Sequence, residues 1–190
     1  AVFTVDIEDW YSALVPPDAW PRVADDRVVR NTWLLLEMLR TRGLSAHCYV
    51  LGAVARQYPD LLHVLREHGH RIGSHGYDHR HQEREGDESD GRARRVLGVV
   101  DGYRSPYWDT TPRPNLGGGF FFRAMPRWWV AREVRRTGVF YLHPHDVDSS
   151  PPPDYWRAGL GVYAARRTLG LQGSKDWLWW LLTHLQWKNA

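Results

Sequence analysis

The sequence has few of the features that would remove it from the ordinary run of globular domains. It holds one cysteine, Cys48, in 190 residues. That excludes an intrachain disulfide framework and says little about compartment. Set within an apolar run, the thiol reads as a small buried hydrophobe. No stretch approaches the ~20 apolar residues of a membrane span. No signal peptide precedes the first strand-like run, so a cytoplasmic location is the default expectation, with a removed leader as the alternative. A dominant charge is lacking as well: 25 Lys and Arg against 22 Asp and Glu leave +3. Balanced charge without a basic stripe gives no support to nucleic-acid binding. There is no internal repeat of fixed period, and nothing in the pattern reports oligomeric state.

What is present is core-forming material and tryptophan. A hydrophobic content of 43% can build a substantial core, and the length suits one domain spanning residues 1–190. The 11 tryptophans allow sugar stacking, although burial is the commoner use of any single indole.

Ala1 to Ile7 alternates and is β-branched, predicting a strand whose end carries Asp6, Glu8 and Asp9. Residues 25–42 show Val28, Leu35, Met38 and Leu39 with Trp33 at roughly helical spacing, closed by Gly43. Leu44 to Leu51 reads as a second strand, Ala53 to His68 as one helix, and Arg71 to Ser74 as a third strand running into His75. This order argues for parallel β/α units. Residues 81–90 are polar and read as a loop or the start of an exposed helix, Arg92 to Val100 as a helix end, and Gly102 to Pro106 as a strand. With Pro112, Pro114 and three glycines, Trp108 to Gly119 is expected to be irregular. Pro126 to Thr137 predicts a helix and Val139 to Leu142 a strand. From Ser174, Leu178, Leu181, Leu182 and Leu185 mark a helix that seals the core, or whose tryptophans dip into a membrane interface.

Acidic and imidazole side chains thus follow several separate strands. His75 and His79 stand four residues apart, a spacing that on a helical turn would put both on one face, able to share a metal. Asp6, Glu8 and Asp9 supply carboxylates: one completes a two-histidine, one-carboxylate site with an open position, and another is left as general base. Strand alternation points Asp6 and Glu8 to one side and favours Glu8 as ligand, whereas a turn beginning at Glu8 would favour Asp9. Arg104 after the next strand has the chemistry to hold a catalytic carboxylate ionised. His143, at the end of Val139 to Leu142, is placed to protonate a leaving amine, with Leu142 beside a small acyl pocket.

The runs T-V-D-I-E-D-W from Thr4, Arg30-Asn31-Thr32, A-H-C-Y-V-L-G from Ala46, G-H-R-I-G-S-H-G-Y-D-H from Gly69, R-S-P-Y from Arg104 and Y-L-H-P-H-D-V-D from Tyr141 together resemble the polysaccharide deacetylase family of carbohydrate esterases, in the family's order. With G-G-G-F-F-F-R from Gly117 to Arg123, they look most like the branch associated with bacterial exopolysaccharide clusters. The resemblance implies an α/β fold, a distorted and incomplete (β/α) barrel, and one divalent metal, zinc with cobalt or nickel as rivals. It also implies a metal-dependent hydrolase that removes N-acetyl groups from amino sugars of a poly- or oligosaccharide. In that reading Asp6 is the base, Arg104 orients it, the Tyr107 amide is an oxyanion donor, and His143 is the acid. Leu142 and Trp108 then face substrate, while Glu8 or Asp9 joins His75 and His79 on the metal. A cyclic-amide or other N-acyl substrate on the same metal, and a catalytically silent carbohydrate-binding domain, are the alternatives.

Three departures bear on this. The adjacent aspartates common in the first motif are here spread over Asp6, Glu8 and Asp9. The aspartate–tryptophan motif that supports the acid histidine is not recognisable, leaving Asp146, Asp148 and Trp128 as substitutes. The chain is short between 81 and 116, so the barrel is reduced or loops are absent.

Overall fold

The computed structural model describes residues 1–14, 20, 26–79, 85–106, 117–150 and 161–190. Four strands form one parallel sheet: β1 (Val2–Ile7), β2 (His47–Val50), β3 (Arg71–Ser74) and β4 (Val139–Leu142), in the order β3-β2-β1-β4. Register pairs Asp6 with Tyr49, Tyr49 with Gly73, and Thr4 with Tyr141. At the β3 edge the strand expected over Gly102 to Pro106 is reduced to an isolated parallel bridge from Ser74 to Tyr103. Among the described residues the sheet is open, which bears out the expected α/β, incomplete-barrel class.

Alternation explains which way each strand faces. Phe3, Val5 and Ile7 of β1, Cys48 and Val50 of β2, Ile72 of β3, and Phe140 and Leu142 of β4 are buried in one apolar cluster. The opposite face carries Thr4, Asp6, His47, Tyr49 and Tyr141. Burial of this kind contributes about 1.5–3 kcal/mol for each fully covered large aliphatic side chain.

Helices α1 (Arg27–Arg40), α2 (Gly52–Gln57), α3 (Pro59–Glu67), α4 (Glu88–Leu97), α5 (Gly119–Ala124) and α6 (Arg127–Thr137) connect the strands. In α1 the buried set includes Leu36 as well as Val28, Leu35 and Leu39, while Trp33 is exposed. Gly43, at φ 61°, lets the Leu44 N–H reach back to the Leu39 carbonyl at 3.0 Å and end the helix. The single helix expected over 53–68 is two. Tyr58 precedes Pro59 and is driven out of helical geometry to φ −129°, ψ 69°, and the proline restarts the chain as the first residue of α3. Regular structure also begins within the triple glycine, since α5 starts at Gly119.

Two more helices, Gly161–Thr168 and Ser174–His184, follow. The first has no counterpart in the sequence reading. The second places Trp177, Leu178, Leu181 and Leu182 in the core and leaves Trp179 exposed, the arrangement of a helix that seals the domain. Among the described residues no helix is long and apolar enough to cross a membrane.

Candidate active site

Every predicted polar cluster sits where a strand runs out. β1 delivers Asp6 and then Glu8, β3 runs into His75, the Tyr103 bridge into Arg104, and β4 into His143. Parallel strands end on one edge, so residues separated by up to 137 positions in sequence meet there.

Glu8, His75 and His79 form one buried group, each offering a ligand atom within 4.8 Å of the others. The histidines do not converge by helical spacing. Residues 75–79 form no helix; the segment turns through Gly76 at φ 75° and His79 at φ 58°. His79 is the one non-glycine residue at positive φ among those described, a conformation uncommon outside glycine and met at functional sites. The His75 ring presents Nδ1 to the Arg104 carbonyl at 2.9 Å. A carbonyl only accepts, so Nδ1 carries the proton and Nε2 is left as the lone-pair nitrogen. Glu8 Oε2 is buried without a hydrogen bond and lies 3.0 Å from His79 Nε2. Burial alone would raise the Glu8 carboxyl, but His79 first, then His143 and Arg167, hold it well below the usual carboxylate range. Two imidazoles and an ionised, unsatisfied carboxylate are the donor set of an open zinc-type site, and the residues present fit such an ion.

Asp9, the rival for that position, is turned elsewhere: its Oδ2 accepts from the Tyr11 hydroxyl at 3.0 Å. Alternation persists past the end of β1, and this keeps Glu8 on the Asp6 side.

Asp6, whose charge also acts on His75, is held by a different partner. Arg104 Nη1 donates to Asp6 Oδ1 at 2.7 Å and to Thr4 Oγ1 at 2.9 Å, and its guanidinium lies 4.1 Å over the Tyr49 ring. Arg104 therefore acts twice, fixing a carboxylate with its side chain and the tautomer of His75 with its carbonyl.

His143 Nε2 lies 3.7 Å from Glu8 Oε1. Its Nδ1 and its own backbone N–H both meet Asp146 Oδ2 at 2.9 Å. Asp146 in turn accepts from Arg123 Nε at 3.1 Å, with both side chains 1% exposed. Burial alone would lower His143, but the hydrogen bond and charge of Asp146, with Glu8 and Asp6, raise it above an ordinary imidazole. His145, stacked on His143 with ring centroids 4.8 Å apart, is pushed well down by burial and by Arg167.

The support for His143 thus comes from the same motif three residues on, and from Arg123 of the G-G-G-F-F-F-R run. Of the two other substitutes, Asp148 is engaged by Arg27 at 2.9 Å and Trp128 is 65% exposed. Pro144 opens a 3₁₀ turn, Pro144–Val147, that brings position 146 back under position 143. Sequence reasoning did not single out this geometry or Arg123; the H-P-x-D spacing was the available signal.

Leu142 is not where the acyl-pocket expectation put it. It is fully buried in the core, in register with Val5, because alternation sends it to the face opposite His143. Tyr141 takes the His143 side, with the two rings 5.9 Å apart. Tyr107 and Trp108 lie outside the described residues.

A family model described as polysaccharide deacetylase matches residues 20–95. No curated protein sequence matches the chain significantly. Among solved structures, a peptidoglycan N-acetylglucosamine deacetylase is 13% identical, with 99% of this chain and 84% of the other covered at a TM-score of 0.52. The peptidoglycan deacetylase PdaC from Bacillus subtilis is 12% identical, with 99% and 85% covered at 0.50. The protein BA3943 from Bacillus anthracis, described as a CE4 family pseudoenzyme, is 11% identical, with 99% and 62% covered at 0.52. At these identities the likeness is one of fold. The resemblance to the polysaccharide deacetylase family is thereby borne out, by the family match over residues 20–95 and by a fold shared across nearly the whole chain.

Proposed function

We propose that residues 1–190 form one catalytic domain, a metal-dependent hydrolase that removes N-acetyl groups from amino sugars of a poly- or oligosaccharide. The observation that carries this reading is the convergence of Glu8, His75 and His79 beside two separately braced groups, Asp6 on Arg104 and His143 on Asp146. A metal-dependent amidase of the kind proposed uses those three parts: an ion site, a base and an acid.

Glu8, His75 and His79 would hold one divalent ion, zinc by donor type, with cobalt and nickel as rivals. Once bound, such an ion polarises a carbonyl oxygen and acidifies water. Asp6, held in place by Arg104, accepts the proton of the attacking water. His143 donates a proton from Nε2 to the departing amine, while Asp146 holds Nδ1–H and so fixes the direction of the transfer. The Tyr107 amide is the proposed second donor to the oxyanion, an effect for which a single donor contributes ~3 kcal/mol. Trp108 is the proposed stacking platform for the sugar. The products are acetate and a free amine. The G-G-G-F-F-F-R resemblance points to an exopolysaccharide as the source of substrate.

Acetate release from N-acetylated oligosaccharides by zinc-loaded protein tests this reading. Asp6→Asn should abolish turnover while zinc content stays unchanged; retained turnover would overturn the assignment. Hydrolysis of cyclic ureides in place of acetylated sugars would favour the cyclic-amide alternative. The BA3943 structures include a mutant described as having restored enzymatic activity, so silence is a real outcome on this fold. Tight glycan binding without acetate release would assign this chain to it.

A further inference from the structure

We propose that Tyr49 is the positioning residue for the base: its ring, sandwiched between His47 and Arg104, fixes the plane of the guanidinium that holds Asp6. The role rests on the deacetylase reading above.

Gly73, Tyr49 and Asp6 stand in one register row across β3, β2 and β1. Arg104 joins that row from beyond β3, just after the bridge between Ser74 and Tyr103. Its side chain must therefore cross β3 and β2 to reach Asp6 on β1. A long cation on such a path needs a surface to lie against, and the Tyr49 ring supplies it, with its centroid 4.1 Å from the guanidinium carbon.

The hydrogen bonds do not set the plane of the guanidinium by themselves. Those to Asp6 Oδ1 at 2.7 Å and to Thr4 Oγ1 at 2.9 Å both run from Nη1. Pinned by them at one corner, the group could still tilt and swing. A two-nitrogen fork on the carboxylate would fix its plane; here the face of the ring does so.

The ring itself is held. His47 stacks on it with centroids 4.2 Å apart and planes at 25°, and two groups this close cannot share one side, so His47 and Arg104 cover opposite faces. A hydrogen bond of 3.2 Å also joins the Tyr49 hydroxyl to His47 Nδ1. Gly73 makes the room: a Cβ there would lie 2.6 and 2.7 Å from Cδ1 and Cε1 of the ring and 2.9 Å from His47 Nε2. Any side chain at 73 would displace the stack.

The test combines kinetics of zinc-loaded protein on an N-acetylated glucosamine oligomer with the NMR resonance of the Arg104 Nε–H proton. Tyr49→Leu should lower kcat about tenfold, the order of a desolvated cation–π contact, with KM and zinc content little changed. Tyr49→Phe, which restores the ring face, should recover most of that loss. In an Arg104→Met background the same Tyr49→Leu change should cost nothing further, because the ring acts only through the guanidinium. An equal loss in both backgrounds, or wild-type kcat in Tyr49→Leu, would overturn the proposal. The resonance reads the stack without turnover: ring current should shift it upfield in wild type and Tyr49→Phe, and the shift should vanish in Tyr49→Leu. An unshifted resonance in an active wild type would overturn the stack and leave the deacetylase reading standing. No acetate release by a wild type that shows the shift would overturn the deacetylase reading, and the role in orienting a base with it, while still placing the ring on Arg104.

Discussion

Loading the site with zinc should stabilise the protein, and the size of the effect follows from the geometry. Without an ion, Glu8 and His79 are left with side chains 1% and 6% exposed, 3.0 Å apart, and Glu8 Oε2 has no hydrogen bond. The donors are already gathered, so binding requires little rearrangement. An ion held at 100 times its Kd by the folded state alone adds about 2.7 kcal/mol. For a domain of this size each kcal/mol moves Tm by about 2–4 °C, so the expected rise is about 5–10 °C. The assay is thermal denaturation of chelator-stripped protein, followed by circular dichroism, with and without stoichiometric zinc. Glu8→Gln should remove most of the rise. Asp9→Asn, which touches a carboxylate occupied by Tyr11, should keep it. A flat response in wild type, or an equal rise in Glu8→Gln, would refute the ligand set.

Three further outcomes follow from other parts of the fold. His70 Nδ1 accepts the Ala46 N–H at 2.9 Å, and burial first, then His68, lowers its pKa to about 4 from 6.5. The unfolded chain therefore takes up the proton first as pH falls. Stability should be full above about pH 6.5 and decline by on the order of 2–3 kcal/mol toward pH 4. His70→Asn, which keeps an acceptor but cannot titrate, should flatten that slope in urea denaturation across the range; an unchanged slope would clear His70 of the effect. Asp146→Asn should lower kcat about 100-fold or more with little change in KM or zinc content, because it loosens His143 without touching the metal group. It should also destabilise the fold by about 3–5 kcal/mol by leaving Arg123 buried without its counter-charge, measurable by chemical denaturation. Gly118→Ala should cost roughly 3 kcal/mol or prevent folding, since its methyl would lie 1.9 Å from the Tyr141 carbonyl oxygen; a wild-type melting curve would show that the close approach is not obligatory.

The sequence was most legible where one physical rule acted alone. β3 and β4 were delimited to the residue, the first running between His70 and His75 and the second between Gly138 and His143. Period-two alternation, continued one residue past β1, is also what gathers Glu8 with the two histidines while Asp9 accepts from Tyr11. The same rule, applied to Tyr141-Leu142-His143, would have excluded Leu142 from the pocket. The two histidines do come together, but not by the expected route: spacing of four suggests a helical turn, whereas Gly76 and His79 at positive φ build a loop that bends back. Such a conformation is a tertiary outcome that local propensity does not announce. The brace on His143 was hidden for a different reason. Asp146 was visible three residues away, but its charge is held in place by Arg123 from another helix, and that guanidinium donates also to the Arg167 and Leu169 carbonyls. A buried ion pair of this kind is defined by the elements that converge on it. The motif offers the proposed acid histidine, but the brace behind its Nδ1 depends on α5 and on the turn that ends the helix Gly161–Thr168.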